Sequence, residues 1–228
     1  MKKLIFFLAA LSLTLSASAQ LVINELLYDP SPGNDVNQDG EANTSQDEFV
    51  EIVNTGNVTV NIGGYQITDL SGNFFEFLPG TMIGANEAIV VFGGGNPAAT
   101  LNGVSVFVGA PSLNNSGDTI TLQDNSFTLV DQVRYEDNSS DDESLNRSPE
   151  LVGGFQPHTT IAGSVSSESP GTDVTGASFG DPLPSIMLSP ATSSISESGA
   201  GNTTTLTISL PEAPASYPLT VSLTSDDL

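Results

Sequence analysis

Oxygen-bearing side chains alternate along residues 35–41 in a pattern typical of loops that bind a hard cation. Asp35, Asn37 and Asp39 stand at every second position, and Gly40 follows where a tight turn would fold their oxygens inward. Ca²⁺ takes about six to eight oxygen ligands, and helix-loop-helix calcium loops begin with this same order of residues. The sequence therefore predicts a calcium site in this segment.

The second half of this loop departs from the helix-loop-helix pattern. Glu41 stands where such loops supply a backbone carbonyl, but Gln46 occupies the twelfth position, where a bidentate Glu is expected. Because strand-like segments flank the loop, we predict a structural calcium clip on a β-scaffold, closed by Asp47 or Glu48 in place of the twelfth residue. The alternative is a metal-free polar turn, since Asp and Asn favour turns. The predicted metal ligands are Asp35, Asn37, Asp39, Glu41, Asp47 and Glu48.

The remaining reactive side chains do not combine into a recognisable active site. His158 is the only histidine, cysteine is absent, and no Gly-x-Ser-x-Gly segment supplies a nucleophile. Zinc sites usually need several His or Cys ligands. We therefore predict that these residues have no catalytic activity and that His158 is structural.

A few other charged residues invite more than one interpretation. Glu25, Glu48 and Glu51 lie in or near predicted strands and form either a second acidic cluster or, as we favour, edge and surface charges. Arg134 and Arg147 are predicted to form ion pairs, with the acidic run 141–143 as the expected partner of Arg147.

The N-terminus has the features of an export signal. Lys2 and Lys3 precede an apolar run over residues 4–15, and a small-residue cleavage site follows at residues 17–19. We predict a signal peptide over residues 1–19, and no direct membrane insertion because the apolar run is too short to span a bilayer. Its removal leaves two arginines against 27 acidic residues, a formal charge of −25. This charge argues against nucleic-acid binding, which requires clustered Lys and Arg.

Strand patterns recur from residue 21 to residue 135, and helical periodicity is almost absent. The short apolar or alternating runs are bounded by turn residues, and the chain contains 22 glycines and 14 prolines that can form such turns. This spacing predicts an all-β antiparallel sandwich or barrel. Residues 136–184 lack the pattern and are predicted to be irregular chain and linker. About nine strands are predicted, at 21–28, 48–53, 58–62, 65–70, 74–78, 88–92, 104–108, 119–122 and 129–135.

A second unit is predicted after a Pro-rich boundary at residues 181–185. Residues 186–188, 203–210 and 219–223 are strand-like, but two or three strands are too few for independent stability. We therefore expect the chain to be the N-terminal piece of a longer protein or a truncated reading frame.

Several short segments occur in an order shared with a known family. They are Val22-Ile-Asn-Glu25, Asp47-Glu-Phe-Val-Glu-Ile-Val-Asn54, Gly64-Tyr-Gln-Ile-Thr-Asp69, Asn115-Ser-Gly-Asp-Thr-Ile-Thr-Leu122 and Ser144-Leu-Asn-Arg-Ser-Pro149. With them, residues 20–180 resemble the bacterial lamin-tail domain. The resemblance implies an immunoglobulin-like β-sandwich that serves as an accessory or anchoring module in exported bacterial proteins.

The second unit carries motifs of its own. Ser185-Ile-Met-Leu-Ser-Pro190, Ser194-Ile-Ser-Glu197 and Leu219-Thr-Val-Ser-Leu223 resemble the start of a Calx-beta domain. Over residues 186–228 the resemblance implies an incomplete second β-sandwich, with Glu197 as a calcium ligand of a site that Leu228 cuts short.

The combined features predict a non-catalytic, calcium-stabilised exported module for adhesion, anchoring or partner binding. Its expected partner is an extracellular protein or polysaccharide, and the domain is expected to be a monomeric part of a longer chain. Its expected location is the bacterial periplasm, the cell surface or the medium. The alternative is the accessory N-terminal region of a secreted phosphoesterase or nuclease whose catalytic domain lies beyond residue 228.

Overall fold

The computed structural model describes residues 21–110, 112–136 and 142–180, together with the backbone of 187–190 and 206–209. The predicted signal peptide and the predicted linker at 181–185 lie outside the described residues. Among the described residues, no helix is both long and apolar enough to cross a membrane.

The larger of the two main sheets has seven strands. Adjacent strands of this sheet pair antiparallel, except for β7 and β9, which pair parallel. The central strands β1, β2 and β7 are buried along their whole length, because both faces of the sheet are covered. The strand order is β13 (Gly154–Pro157), β12 (Leu145–Ser148), β1 (Leu21–Leu27), β2 (Phe49–Asn54), β7 (Ala88–Phe92), β9 (Val104–Val108) and β8 (Thr100–Leu101).

A four-stranded antiparallel sheet packs against one face of the seven-stranded sheet. Ile120 and Leu122 of the smaller sheet join Ile23, Val50 and Ile52 of the larger one in a single apolar cluster. The strand order is β11 (Leu129–Glu136), β10 (Gly117–Gln123), β4 (Gln66–Thr68) and β5 (Phe74–Glu76). A short pair, β3 (Val60–Asn61) and β6 (Met82–Ile83), completes this part of the fold.

The opposite face of the seven-stranded sheet has a second apolar cluster. It contains Val22, Leu27, Phe49, Val53 and Phe92. Alternating side chains of β1 and β2 therefore enter two different cores, as expected for strands covered on both sides.

The prediction of an all-β, immunoglobulin-like fold is confirmed. Each of the nine predicted segments contains a strand, and the structure adds β6, β8, β12 and β13. The last two lie within residues 136–184, where no strand was predicted. Asn146 in β12 is fully buried and Arg147 is largely so, and buried polar residues hide the alternation by which a strand is recognised.

A second compact unit contains the strands β14 (Met187–Pro190) and β15 (Leu206–Ser209), which pair antiparallel. Both lie in or next to segments predicted to be strands. The third predicted strand of this unit, at 219–223, falls outside the described residues.

Candidate functional site

The predicted calcium loop connects β1 to β2, and its first half folds as a tight turn. The backbone N–H of Asp39 donates to Oδ1 of Asp35 at 3.1 Å and to Oδ1 of Asn37 at 3.0 Å. The N–H of Gly40 donates to Oδ2 of Asp35 at 2.9 Å, and Gly40 has φ of 98°. Three side chains therefore gather their oxygens around one turn, and glycine supplies the left-handed backbone that the turn requires.

Asp47 closes the loop from inside the protein. Its Oδ1 accepts from the N–H of Asn37 at 2.9 Å, its Oδ2 accepts from the N–H of Asn43 at 2.7 Å, and the side chain is fully buried. The sequence predicted that Asp47 or Glu48 would take the closing position. The structure places Asp47 there, where it binds backbone amides.

The carboxylates of Glu41 and Glu48, the other two predicted ligands, do not take part in the loop hydrogen bonds described above. Glu48 accepts a hydrogen bond from the N–H of Leu113 at 2.9 Å, and burial raises the pKa of Glu48 to about 7. Glu41 is exposed, and the contact it makes within the loop is a backbone N–H donated to Oδ1 of Asp39. The loop thus brings together Asp35, Asn37, Asp39 and Asp47.

The described residues do not contain a purely acidic metal cluster. Across 21–110, 112–136 and 142–180, no group of three or more His, Cys, Asp or Glu side chains is placed to hold a metal ion. Asp35, Asn37 and Asp39 retain free lone pairs on the oxygens that accept backbone amides. A calcium ion at this turn would therefore take part of its coordination from Asn37 and from backbone carbonyls.

The glycines at 93–95 hold the calcium loop against β7. The N–H of Asn96 donates to Oδ2 of Asp39 at 2.7 Å, and Nδ2 of Asn37 donates to the carbonyl of Gly94 at 3.3 Å. A side chain at Gly93 would overlap the carbonyl oxygen of Ser45. These glycines allow two backbone segments to approach closely, a use that sequence reasoning missed.

A network of buried carboxylates lies on the face of the seven-stranded sheet that points away from the four-stranded sheet. Glu25 and Glu51 are opposite each other on β1 and β2, and neither is exposed. Glu48 is buried as well, so the preferred interpretation of all three glutamates as edge or surface charges is wrong. The register of β1 shifts at Asn24, and Nδ2 of Asn24 donates to Glu51 at 2.9 Å and to Glu150 at 2.6 Å. Such a bulge redirects a side chain, and no local sequence signal revealed it.

This network fastens the segment 144–174 to the central strands. Glu25 accepts from the N–H of Ser169 at 2.9 Å and from the hydroxyl of Ser144. Glu51 accepts from the N–H of Gly171 at 2.7 Å. The carboxylates thus accept hydrogen bonds from this segment, called the strap below. Its strands β12 and β13 extend the sheet next to β1, and its later part, which includes Ser169 and Gly171, lies over the buried carboxylates of the sheet face.

Burial changes the ionisation of these groups. Loss of solvation raises the pKa of Glu25 to about 7 and raises the pKa values of Glu51 and Glu150, and the charge of Glu25 raises that of Glu51 further. Burial lowers the pKa of His158, which favours the uncharged imidazole. Its Nε2 lies 3.9 Å from Oε1 of Glu25, so His158 is next to the carboxylate network. The imidazole also bonds Ser164 and Ser169, each at 2.9 Å, in agreement with the structural role predicted for it.

A family model decides the relationship of this fold to known proteins. The model of the Lamin Tail Domain matches residues 14–137, which is more than half of the chain. The chain belongs to the lamin tail domain family. A search of curated proteins finds no match. The matched segment stops short of residues 186–228, so the Calx-beta resemblance of that region rests on its sequence motifs.

Residues beyond the matched segment belong to the same sheet. Strands β12 and β13 follow residue 137 and extend the seven-stranded sheet next to β1. Arg147 of β12 donates to the carbonyl of Ile23 at 2.7 Å and to Asp131 at 2.9 Å. The predicted pairing of Arg147 with the acidic run at 141–143 is wrong, because the antiparallel register aims the side chain toward β11.

Proposed function

We propose that this lamin tail domain is a non-catalytic, calcium-stabilised module of an exported bacterial protein, which serves adhesion, anchoring or partner binding. The proposal rests on one observation: the buried ionisable side chains form hydrogen bonds that hold parts of the fold together. Glu25, Glu51, Glu150 and His158 all bond residues of the strap 144–174 or the central strands. Groups engaged in this way hold the fold together, whereas a general acid or base needs access to a substrate.

The calcium part of the proposal rests on the turn at Asp35. Asp35, Asn37 and Asp39 would supply side-chain oxygens and Glu41 its carbonyl, with Asp47 holding the turn in shape. The cation would offset the repulsion between the half-buried carboxylates of Asp35 and Asp39. It would also couple the loop to the glycines at 93–95. Extracellular modules bind Ca²⁺ at about 10⁻⁴ to 10⁻³ M, which suits an exported domain.

Calcium titration of the full chain tests this part. We expect heat of binding by calorimetry and a higher melting temperature in about 10⁻³ M CaCl₂ than in EDTA, because binding to the folded state stabilises it. Asp39→Asn should weaken both effects. The matched control is Asp124→Asn, since Asp124 caps an exposed turn by the same kind of contact. No heat and no shift in the wild type would refute calcium stabilisation.

The non-catalytic part of the proposal has a direct test. The full chain is assayed for hydrolysis of bis-p-nitrophenyl phosphate in the presence of Mg²⁺ or Ca²⁺, and for cleavage of plasmid DNA under the same conditions. We expect no turnover above the buffer. Activity that persists through purification and disappears in the Glu25→Gln or Glu51→Gln variant would overturn the proposal.

Export and the identity of the second unit complete the proposal. Lys2, Lys3 and the apolar run after them support a signal peptide, and fractionation of a native host should recover the chain outside the cytoplasm, starting at Gln20.

Pairing of β14 with β15 agrees with a β-rich second unit, which we assign to the start of a Calx-beta-like domain. A downstream reading frame that lacks the rest of such a domain would contradict this assignment.

A further inference from the structure

An open cavity of about 550 Å³ lies at one end of the four-stranded sheet. Its lining includes Thr119 of β10, Arg134 and Glu136 of β11, and Leu70 from the turn after β4. Small-molecule sites usually have volumes of about 300–1,000 Å³. The cavity is therefore large enough to hold part of a ligand.

Arg134 contributes little to the fold. Its guanidinium lies 2.9 Å from Glu136, and the two side chains are 73% and 65% exposed. Exposed ion pairs add little stability because both ions are well solvated. Arg147, the other arginine of the chain, is 15% exposed and bonds Ile23, Gly153 and Asp131. Of the two arginines, Arg134 is the one whose donors are open to a ligand.

The charged and polar side chains of the lining indicate which ligand charge fits the cavity. Arg134 and Glu136 form a balanced ion pair at 2.9 Å on the exposed side of the cavity, which favours neither an anion nor a cation. The carboxylate of Asp118 is buried and accepts from the backbone N–H groups of Leu70 and Thr119. The hydroxyls of Ser116 and Thr119 both donate and accept hydrogen bonds. This mixture of donors and acceptors complements an uncharged molecule rich in hydroxyl groups.

The outer face of the four-stranded sheet next to the cavity also carries hydroxyl and amide side chains. Thr119 and Gln123 are half-buried at alternate positions of β10. Thr121 between them is buried, and its Oγ1 accepts at 2.9 Å from Nε2 of the exposed Gln132 on β11. Leu70 is 75% exposed and adds apolar surface that suits the C–H face of a sugar ring. Four strands at their usual spacing span about 15 Å, so an extended chain can contact both the cavity and this face.

We propose that the cavity around Arg134 and the adjoining outer face of β10 and β11 bind a neutral polysaccharide. This assignment rests on the proposed function of the domain as a partner-binding module. It names the partner class and the surface.

Affinity electrophoresis of the full chain tests the assignment. Native gels contain laminarin, dextran, xyloglucan or hydroxyethylcellulose as neutral probes, or alginate as an anionic probe. We expect retardation by at least one neutral polymer and none by alginate. Arg134→Gln should weaken the binding about tenfold, which is the effect of losing one charge-assisted hydrogen bond. Glu136→Gln should weaken binding as well, and both variants should keep the wild-type melting temperature. The control Glu87→Gln changes an exposed carboxylate outside the lining and should retain full affinity.

Three outcomes would overturn the assignment. They are migration unaffected by every neutral polymer, retardation by alginate alone, and retardation that neither cavity variant reduces. The calcium and turnover assays on the same sample are independent of this result. Failure of the polysaccharide assignment with intact calcium stabilisation would therefore leave the proposed function standing, whereas loss of both would refute both.

Discussion

Glu25 and Glu51 lie opposite each other on β1 and β2, with both carboxylates fully buried. Glu150 joins them through the amide of Asn24. Burial raises the pKa values of all three groups, and that of Glu25 reaches about 7. Near neutral pH the folded domain therefore holds protons that the unfolded chain releases.

This difference predicts a stability that falls with rising pH. The unfolded pKa is 4.5 and the folded pKa of Glu25 is about 7. The contribution of such a group is fully present below the unfolded pKa and is lost as the pH rises through the folded pKa. We expect the melting temperature to decrease from about pH 5 to about pH 8, as the pH passes through the folded pKa of Glu25, measured by thermal unfolding at constant ionic strength.

A neutral substitution isolates the cause of this pH dependence. Glu51→Gln keeps the shape and removes the ionisation, so its melting temperature should vary less with pH than that of the wild type. Glu87→Gln, which changes an exposed carboxylate, should retain the wild-type slope. A wild-type melting temperature that rises steadily over the same pH range would contradict the prediction.

Arg147 should be required for full stability. Arg147→Gln removes donors to Ile23, Gly153 and Asp131 and leaves a largely buried carboxylate without its cation. We expect a loss of about 2–4 kcal/mol in the free energy of unfolding, measured by urea denaturation. Arg134→Gln should change it by less than about 0.5 kcal/mol, because the Arg134 ion pair is exposed. Equal losses in the two variants would refute this division of roles.

Gly93 should not tolerate a side chain. A Cβ atom there overlaps the backbone carbonyl of Ser45, and the N–H of Gly93 already bonds the carbonyl of Glu48 at 2.8 Å. Gly93→Ala should destabilise the domain by about 1–3 kcal/mol in urea unfolding. Gly154→Ala is the matched control, since its added methyl group meets no atom within 4 Å. A neutral Gly93→Ala variant would show that the two segments can separate.

Asp47 should be the most sensitive residue of the calcium loop, even without calcium. Asp47→Ala leaves the N–H of the buried Asn37 without its acceptor and removes the acceptor of the exposed Asn43. We expect a loss of about 2–4 kcal/mol in EDTA. Asp39→Ala, at a half-exposed position, should have a smaller effect in EDTA and a larger one on calcium binding. The reverse order in EDTA would place the structural role at Asp39.

Local patterns predicted most of the strands and the turn at Asp35 because both depend on short-range geometry. Ile120 and Leu122 alternate with Thr119, Thr121 and Gln123, and the side chains of a strand point to opposite faces in turn. Residues 145–157 escaped prediction, because β12 buries Asn146 and Arg147 against hydrogen-bonding partners on β1: Asn24 donates to Asn146, and Arg147 donates to the carbonyl of Ile23. A polar residue that is buried and paired has the same local pattern as one in solvent.

The sequence alone determined that the chain is all-β, that it is acidic, and that Asp35, Asn37 and Asp39 form a turn. Only the tertiary structure decided that Glu48 faces Leu113, that Arg147 pairs with Asp131, and that Glu25 lies buried beneath Ser169. The physical reason is range. Turns and strand alternation are set by neighbouring residues, whereas Glu25 and Ser169 are separated by 144 positions and meet only when the strap closes over the sheet.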